Sequence, residues 1–92
     1  MAFNLSLPVE LSRAGWKVKI ADKEIREPPH VTVIRKTIAW RIDLRTRQFM
    51  DARPNPSDIP PELIRIIEDH WTLLCQQWDA MYPNNPVADH EV

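Results

Sequence analysis

The 92-residue sequence has one glycine, Gly15, and one cysteine, Cys75. A single glycine excludes a Walker-type phosphate loop and a dinucleotide fingerprint, because both need several glycines to bring the backbone close to phosphate. A single cysteine excludes an intramolecular disulfide framework and a zinc site built on cysteines. The chain has no apolar run near the roughly 20 residues of a transmembrane helix, and its N-terminus lacks the basic and apolar regions of a signal peptide. We therefore expect a cytoplasmic protein with no membrane segment and no small-molecule cofactor.

The length of 92 residues is enough for one domain and too short for two. We place its compact part at about residues 6–82 and expect residues 83–92 to form a frayed tail. The charges are unevenly divided: residues 1–50 hold ten Lys or Arg and five Asp or Glu, whereas residues 51–92 hold two and eight. The net charge of −1 therefore conceals a basic first half and an acidic second half.

Alternation of apolar and polar residues predicts a meander of antiparallel strands. Residues 16–20 and 38–45 alternate strictly, and residues 30–34, His-Val-Thr-Val-Ile, are predicted as a strand between them. Residues 48–50 are a candidate fourth strand. A short helical turn is predicted before Gly15, which suits the left-handed position that ends a helix.

One long helix is predicted to follow the strands, from Pro61 to Met81 or Tyr82. Pro61 suits the first helical position, and Pro83 stops the pattern. Its main apolar residues fall within a stripe of about 120°. This stripe matches the apolar face of the sheet, so the predicted fold is α+β: a meander of three or four strands with one long helix on one face.

The opposite face of the predicted sheet and the ends of its hairpins are basic. The residues concerned are Lys17, Lys19, Arg35, Lys36, Arg41, Arg45 and Arg47. Three interpretations remain open for this surface: a solvated face, a contact for an acidic protein, and a contact for nucleic-acid phosphates. A platform for stacking bases is missing, because no exposed aromatic residue is interleaved with the charges.

A second candidate contact lies on the predicted helix. Ile66 and Leu73 fall roughly 130° from the centre of the main apolar stripe. Two interpretations are about equally supported: incomplete coverage by polar residues, or an outer strip that contacts a partner helix or a second copy.

His30 is the one candidate for chemistry on the sheet. Pro28 and Pro29 restrict the backbone before it, and we expect its imidazole to point toward the polar face, beside Thr32. Arg41 and Asp43 are expected as cross-strand neighbours. This set suggests an RNA-cleaving site with His30 as base, Arg41 as phosphate clamp and Thr32 or Asp43 as orienting group. The competing interpretation is a histidine that only begins a strand.

The remaining chemical groups indicate neither a metal site nor a nucleophile. No pair of histidines has the helical i, i+4 spacing of metal ligands. His70 is expected to pack and His90 to lie in the tail. Cys75 lies within the apolar stripe without an adjoining basic residue, which is typical of a small buried hydrophobe.

Three stretches resemble a small uncharacterised bacterial domain family: Pro-Pro-His-Val-Thr-Val at 28–33, Ala-Trp-Arg-Ile-Asp-Leu-Arg-Thr at 39–46, and a helix ending Gln-Gln-Trp at 76–78. That family has a Pro-Pro-His-x-His motif, an Ile-Asp-Leu-x-Thr-Gly-Glu turn and a helix ending near Glu-Asn-Trp. Its members are often encoded beside antitoxin genes, so the resemblance, over about residues 15–82, implies a toxin–antitoxin role. Thr32 stands at the family's second histidine, so only His30 carries over from the pair.

The favoured interpretation is a toxin–antitoxin-like module that binds a macromolecule through the basic face, the outer helix strip or both. The expected partner is a protein: a cognate antitoxin, another subunit of an assembly, or a second copy. Nucleic acid is the second possibility, and RNA cleavage through His30 is the enzymatic alternative.

Overall fold

The computed structural model describes residues 2–21 and 27–87 and has an α+β fold, as predicted. Its strands are β1 (Phe3–Asn4), β2 (Trp16–Ile20), β3 (His30–Arg35) and β4 (Ile38–Asp43). Its α-helices are α1 (Val9–Arg13), α2 (Pro61–Asp69) and α3 (Trp71–Met81), and a 3₁₀ turn at Pro56–Asp58 precedes α2. No helix in these described residues is long and apolar enough to cross a membrane.

The sheet has four antiparallel strands in the order β1-β2-β3-β4. The three strands predicted from alternation are confirmed, but the fourth strand is β1 at the N-terminus. Residues 48–50, the candidate from sequence, pair with β4 through one bridge, between Phe49 and Ile42, and two backbone hydrogen bonds. The Asp43 N–H donates to the Gln48 carbonyl at 2.8 Å, and the Met50 N–H donates to the Arg41 carbonyl at 2.9 Å. A strand of two residues is too short to show alternation, which is why the sequence did not reveal β1.

Two tight turns contain residues with a positive φ. Gly15, with φ of 93°, joins α1 to β2 in a conformation that side chains rarely adopt. Lys36, with φ of 57°, lies in the turn between β3 and β4. Two-residue hairpin turns need a positive φ, and this one obtains it without a glycine or an asparagine.

The predicted single helix is in fact two helices, because the chain breaks at His70. This residue has φ of −108° and ψ of 19°, outside the helical range. Its backbone N–H contacts the carbonyls of Ile66 and Ile67, and its ring Nδ1 lies 2.8 Å from the Ile66 carbonyl. Apolar periodicity runs through the break unchanged, so the sequence pattern predicted one element.

The core lies between the two helices and one face of the sheet. Its buried strand residues are Trp16, Val18, Ile20, Val31, Val33, Trp40 and Ile42, and its buried helix residues are Leu63, Ile67, Trp71, Leu74 and Trp78. Leu5 and Leu11 from the N-terminal segment join the same cluster. The N-terminal residues before β2 therefore belong to the packed domain.

Residues 83–87, which we expected in a frayed tail, are held against the domain. The Trp78 indole N–H donates to the Asn85 carbonyl at 2.7 Å, and the Asn85 side-chain amide donates to the Glu27 carbonyl at 2.9 Å. The Val87 N–H donates to the Asp79 carboxylate at 2.8 Å. The rest of the expected tail, including His90, lies outside the described residues.

Candidate functional site

The sheet presents a second face, opposite the helices, that we call the open face. Side chains alternate along each strand, so the register defines its members. They are Asn4, Lys17, Lys19, Thr32, Ile34, Ala39, Arg41 and Asp43. All eight are exposed or half-buried, in contrast to the buried residues that alternate with them.

Lys17 and Lys19 form the basic part of the open face. Lys17 is paired in register with Ile34, and Lys19 with Thr32. Within the described chain, neither ammonium group forms an ion pair. Their charge is therefore available to a partner.

Arg41, the predicted phosphate clamp, is already neutralised. Its Nε and Nη2 donate to the two carboxylate oxygens of Asp51 at 2.9 and 2.8 Å, and its Nη1 donates to Glu27 at 2.7 Å. The hydrogen bond from Arg41 lowers the pKa of the Asp51 carboxyl. Desolvation of that carboxyl acts in the opposite direction, and the positive charge of Arg41 lowers the pKa further. Two carboxylates on one guanidinium leave no net positive charge here for a phosphate.

Arg35 and Lys36 lie at the tip of the β3–β4 hairpin. The Arg35 Nε donates to the Ala14 carbonyl at 3.1 Å, and its guanidinium lies 5.6 Å from the centre of a Trp16 ring. Arg35 thus supports the packing of α1 on β2. Lys36 is exposed and provides positive charge at the end of the sheet.

Arg45 and Arg47 follow β4, and their side chains contact other segments of the domain and not the open face. Arg45 donates to the carbonyls of Pro86 at 2.7 Å and Val87 at 3.1 Å, so it holds the C-terminal segment. The Arg47 guanidinium lies 5.0 Å from the centre of a Trp71 ring, on the helix side. Both were predicted from sequence to belong to the basic surface, and their contacts assign them to packing.

The expectation that the His30 imidazole points to the polar face is wrong. His30 is only 2% exposed, and its ring centre lies 5.6 Å from that of the core residue Trp78. Its Nδ1 lies 2.9 Å from the Pro28 carbonyl. His30 is the first residue of β3, where the bend at the two prolines and the contact with Trp78 override the alternation of the strand.

The four residues of the RNA-cleavage alternative are neighbours, but they do not form an accessible site. Register pairs His30 with Asp43 and Thr32 with Arg41, so Arg41 and Asp43 are cross-strand neighbours, as expected. A base must reach its substrate proton within hydrogen-bond distance. The buried His30 is withdrawn from solvent, and Arg41 is held by carboxylates, so this geometry does not support RNA cleavage.

Ile66 and Leu73 do not form an exposed outer strip on the helices. Both are half-buried and pack against the core cluster. The break at His70 lies between these two residues, so Ile66 belongs to α2 and Leu73 to α3. The exposed large hydrophobic residues among those described are Val9, 60% exposed, and Ile38, 46% exposed.

Sequence reasoning missed Ile34 and Ala39, which face each other across β3 and β4 on the open face. Ile34 lies beside Lys17, so the basic part of the open face borders an apolar patch formed by Ile34 and Ala39. The alternation of β3 placed Ile34 on the same side as Thr32, and this signal could have identified it.

Cys75 shows no sign of activation. It is half-buried, and burial raises the pKa of its thiol, with the nearby Asp79 carboxylate acting in the same direction and Arg47 opposing it. Within residues 2–21 and 27–87, no group of His, Cys, Asp and Glu is arranged to hold a metal ion.

No protein-family model, curated protein or solved structure matches this chain.

Proposed function

We propose that the protein is an interaction module that binds an acidic segment of a partner protein on its open face. The observation that carries this proposal is the pair Lys17 and Lys19, side by side on β2 and without ion pairs in the described chain. Unneutralised charge on a sheet face favours a partner of opposite charge and increases the rate of its association.

The chemistry of the open face favours protein over nucleic acid. Ile34 and Ala39 form an apolar patch directly beside the lysines. Arg41 adds no positive charge, because its cluster with Glu27 and Asp51 has one net negative charge. None of the eight open-face residues is aromatic, so bases have nothing to stack on. A segment that alternates acidic and apolar side chains satisfies both the lysines and the apolar patch.

The partner suggested by the family resemblance is a cognate antitoxin in a bacterial toxin–antitoxin-like pair. This role belongs in the cytoplasm, where the single free cysteine stays reduced. A subunit of a larger assembly or a second copy would use the same surface, and the mass of the complex in solution separates these cases.

The test measures binding of two fluorescent probes by anisotropy: a peptide that alternates Glu and Leu, and a single-stranded RNA. The test variant is Lys17→Glu with Lys19→Glu. The matched control is Arg53→Glu with Arg65→Glu, which changes the net charge equally at two exposed positions outside the sheet. We expect the peptide to bind the parent and the control, and to bind the test variant about tenfold or more weakly.

Three outcomes would contradict the proposal. The first is affinity for the peptide that stays flat as salt is increased, since exposed charge pairs are screened by salt. The second is equal loss of binding in the control variant. The third is tighter binding of RNA than of peptide, which would indicate that the open face binds nucleic acid and not an acidic protein segment. Both double variants should melt close to the parent, because Lys17, Arg53 and Arg65 are exposed and Lys19 is half-buried at the surface. Surface substitutions change stability by only about 0.5 kcal/mol each.

A further inference from the structure

A cleft of about 370 Å³ lies between the N-terminal segment, α1 and β2. It is lined by Asn4, Leu5, Leu7, Ser12, Trp16, Lys17 and Val18. Small-molecule sites have volumes of about 300–1,000 Å³, so the cleft is large enough for a small ligand.

The cleft exists because β1 ends before it covers the edge of β2. The strands pair at Asn4 and Lys19, and the Leu5 N–H donates to the Val18 carbonyl at 2.8 Å. The chain then leaves the sheet to begin α1 at Val9. Residues two apart on a strand direct their backbone N–H and C=O groups to the same side. Because the Val18 carbonyl points toward the N-terminal segment, the N–H and carbonyl of Trp16 point the same way, at a position that β1 does not reach.

The cleft is lined by both apolar and polar residues. Leu5, Trp16 and Val18 are buried, and Leu7 is half-buried. The polar lining residues Asn4, Ser12 and Lys17 are exposed. Lys17 is the one ionised side chain among the seven lining residues, so the lining complements a ligand with one negative charge and an apolar body.

We propose that this cleft binds a small carboxylate with a branched or aromatic body. The carboxylate is held by Lys17, and the apolar body lies between Leu7 and Trp16. The same chemistry is presented by a free carboxylic acid and by the C-terminus of a peptide that ends in an apolar residue. The site does not depend on the function proposed above: it shares Lys17 with the open face but uses neither Lys19 nor Ile34.

The experiment titrates the ¹⁵N-labelled full chain with 4-methylpentanoate and follows amide and indole resonances by NMR. The matched probe is 4-methylpentanamide, which has the same body without the charge. We expect saturable shifts at Leu5, Leu7 and Trp16 with the acid and much weaker ones with the amide. Lys17→Met should weaken binding of the acid about tenfold, because it removes a charge-assisted hydrogen bond.

Lys19→Met is the control, since it removes a neighbouring charge from the same strand without altering the cleft. Binding of the acid that is retained in Lys19→Met but lost in Lys17→Met supports the site. This result does not depend on whether the open face binds a protein. A second arm uses an acetylated tripeptide ending in leucine, as the free acid and as the amide. Tighter binding of the peptide acid than of 4-methylpentanoate identifies a protein C-terminus as the source, and the reverse order identifies a metabolite.

The proposal is overturned by an absence of saturable shifts at millimolar acid, by equal binding of acid and amide, or by equal losses in the two lysine variants. Because both lysines are solvent-accessible, we expect each variant to fold, and its NMR spectrum verifies this in the same experiment.

Discussion

Replacing Trp78 by alanine should remove a large part of the stability of the domain. Trp78 is fully buried, and its ring centre lies 5.6 Å from that of His30 and 4.1 Å from that of Tyr82. Its indole N–H donates to the Asn85 carbonyl at 2.7 Å. One side chain therefore connects α3 to the start of β3 and to the C-terminal segment.

The size of the effect follows from these contacts. Truncating a buried tryptophan to alanine costs about 3–5 kcal/mol of unfolding free energy, through lost burial and the cavity that remains. A chain of this length has a total stability of about 5–14 kcal/mol. Trp78→Ala should thus remove between about a fifth and all of it.

Urea denaturation followed by far-ultraviolet circular dichroism measures this loss directly. Trp78→Phe separates the two contributions: it keeps most of the ring volume but loses the donor to Asn85, and we expect a loss of about 1–3 kcal/mol. Val9→Ala, at a 60% exposed position, is the control that should leave the midpoint nearly unchanged. A Trp78→Ala variant that unfolds at the urea concentration of the parent would show that this packing is wrong.

Two further predictions concern ionisable groups. Because the hydrogen bond from Arg41 lowers the pKa of Asp51 below its usual 3.8, the ionised carboxylate stabilises the fold above that pH, and this contribution is lost as the pH falls below it. In urea titrations the parent should therefore lose stability more steeply below about pH 4 than Asp51→Asn does, and parallel pH profiles would contradict the role of the ion pair. Because burial raises the pKa of the Cys75 thiol, an aromatic disulfide reagent at pH 8 should label the folded protein more slowly than the urea-unfolded protein, and equal rates would contradict this.

The strands were predictable where alternation is long enough to read. β2 and β4 alternate over five or six residues, and the structure buries their apolar members except Ile38 and Ala39 at the start of β4. β1 has two residues and depends on β2 for its hydrogen bonds, so it has no local signal. The break at His70 was also invisible, because it arises from contacts of one residue with the preceding turn and leaves the apolar pattern intact.

The sequence predicted where the basic residues of the sheet lie, but it did not predict how much of their positive charge is neutralised by nearby carboxylates. A sequence shows that Arg41 lies on the polar side of a strand, but it does not show which carboxylates fold back onto it. Glu27 and Asp51 are 14 and 10 residues away from Arg41 along the chain, in loops without periodicity. Counting basic residues therefore overestimated the positive charge available on the sheet, and the structure reduces the face to Lys17 and Lys19, with Lys36 at its end.

The position of His30 removes the base on which the RNA-cleavage hypothesis depended. Alternation is a rule for residues with strand neighbours on both sides, and His30 has none before it because β3 begins there. The bend at Pro28 and Pro29 leaves the ring facing Trp78, where packing fixes it and solvent does not reach it. The sequence motif that suggested a base is therefore part of what holds β3 to α3. What the open face retains is unneutralised lysine beside a small apolar patch, and these are the features on which the proposed contact with an acidic partner rests.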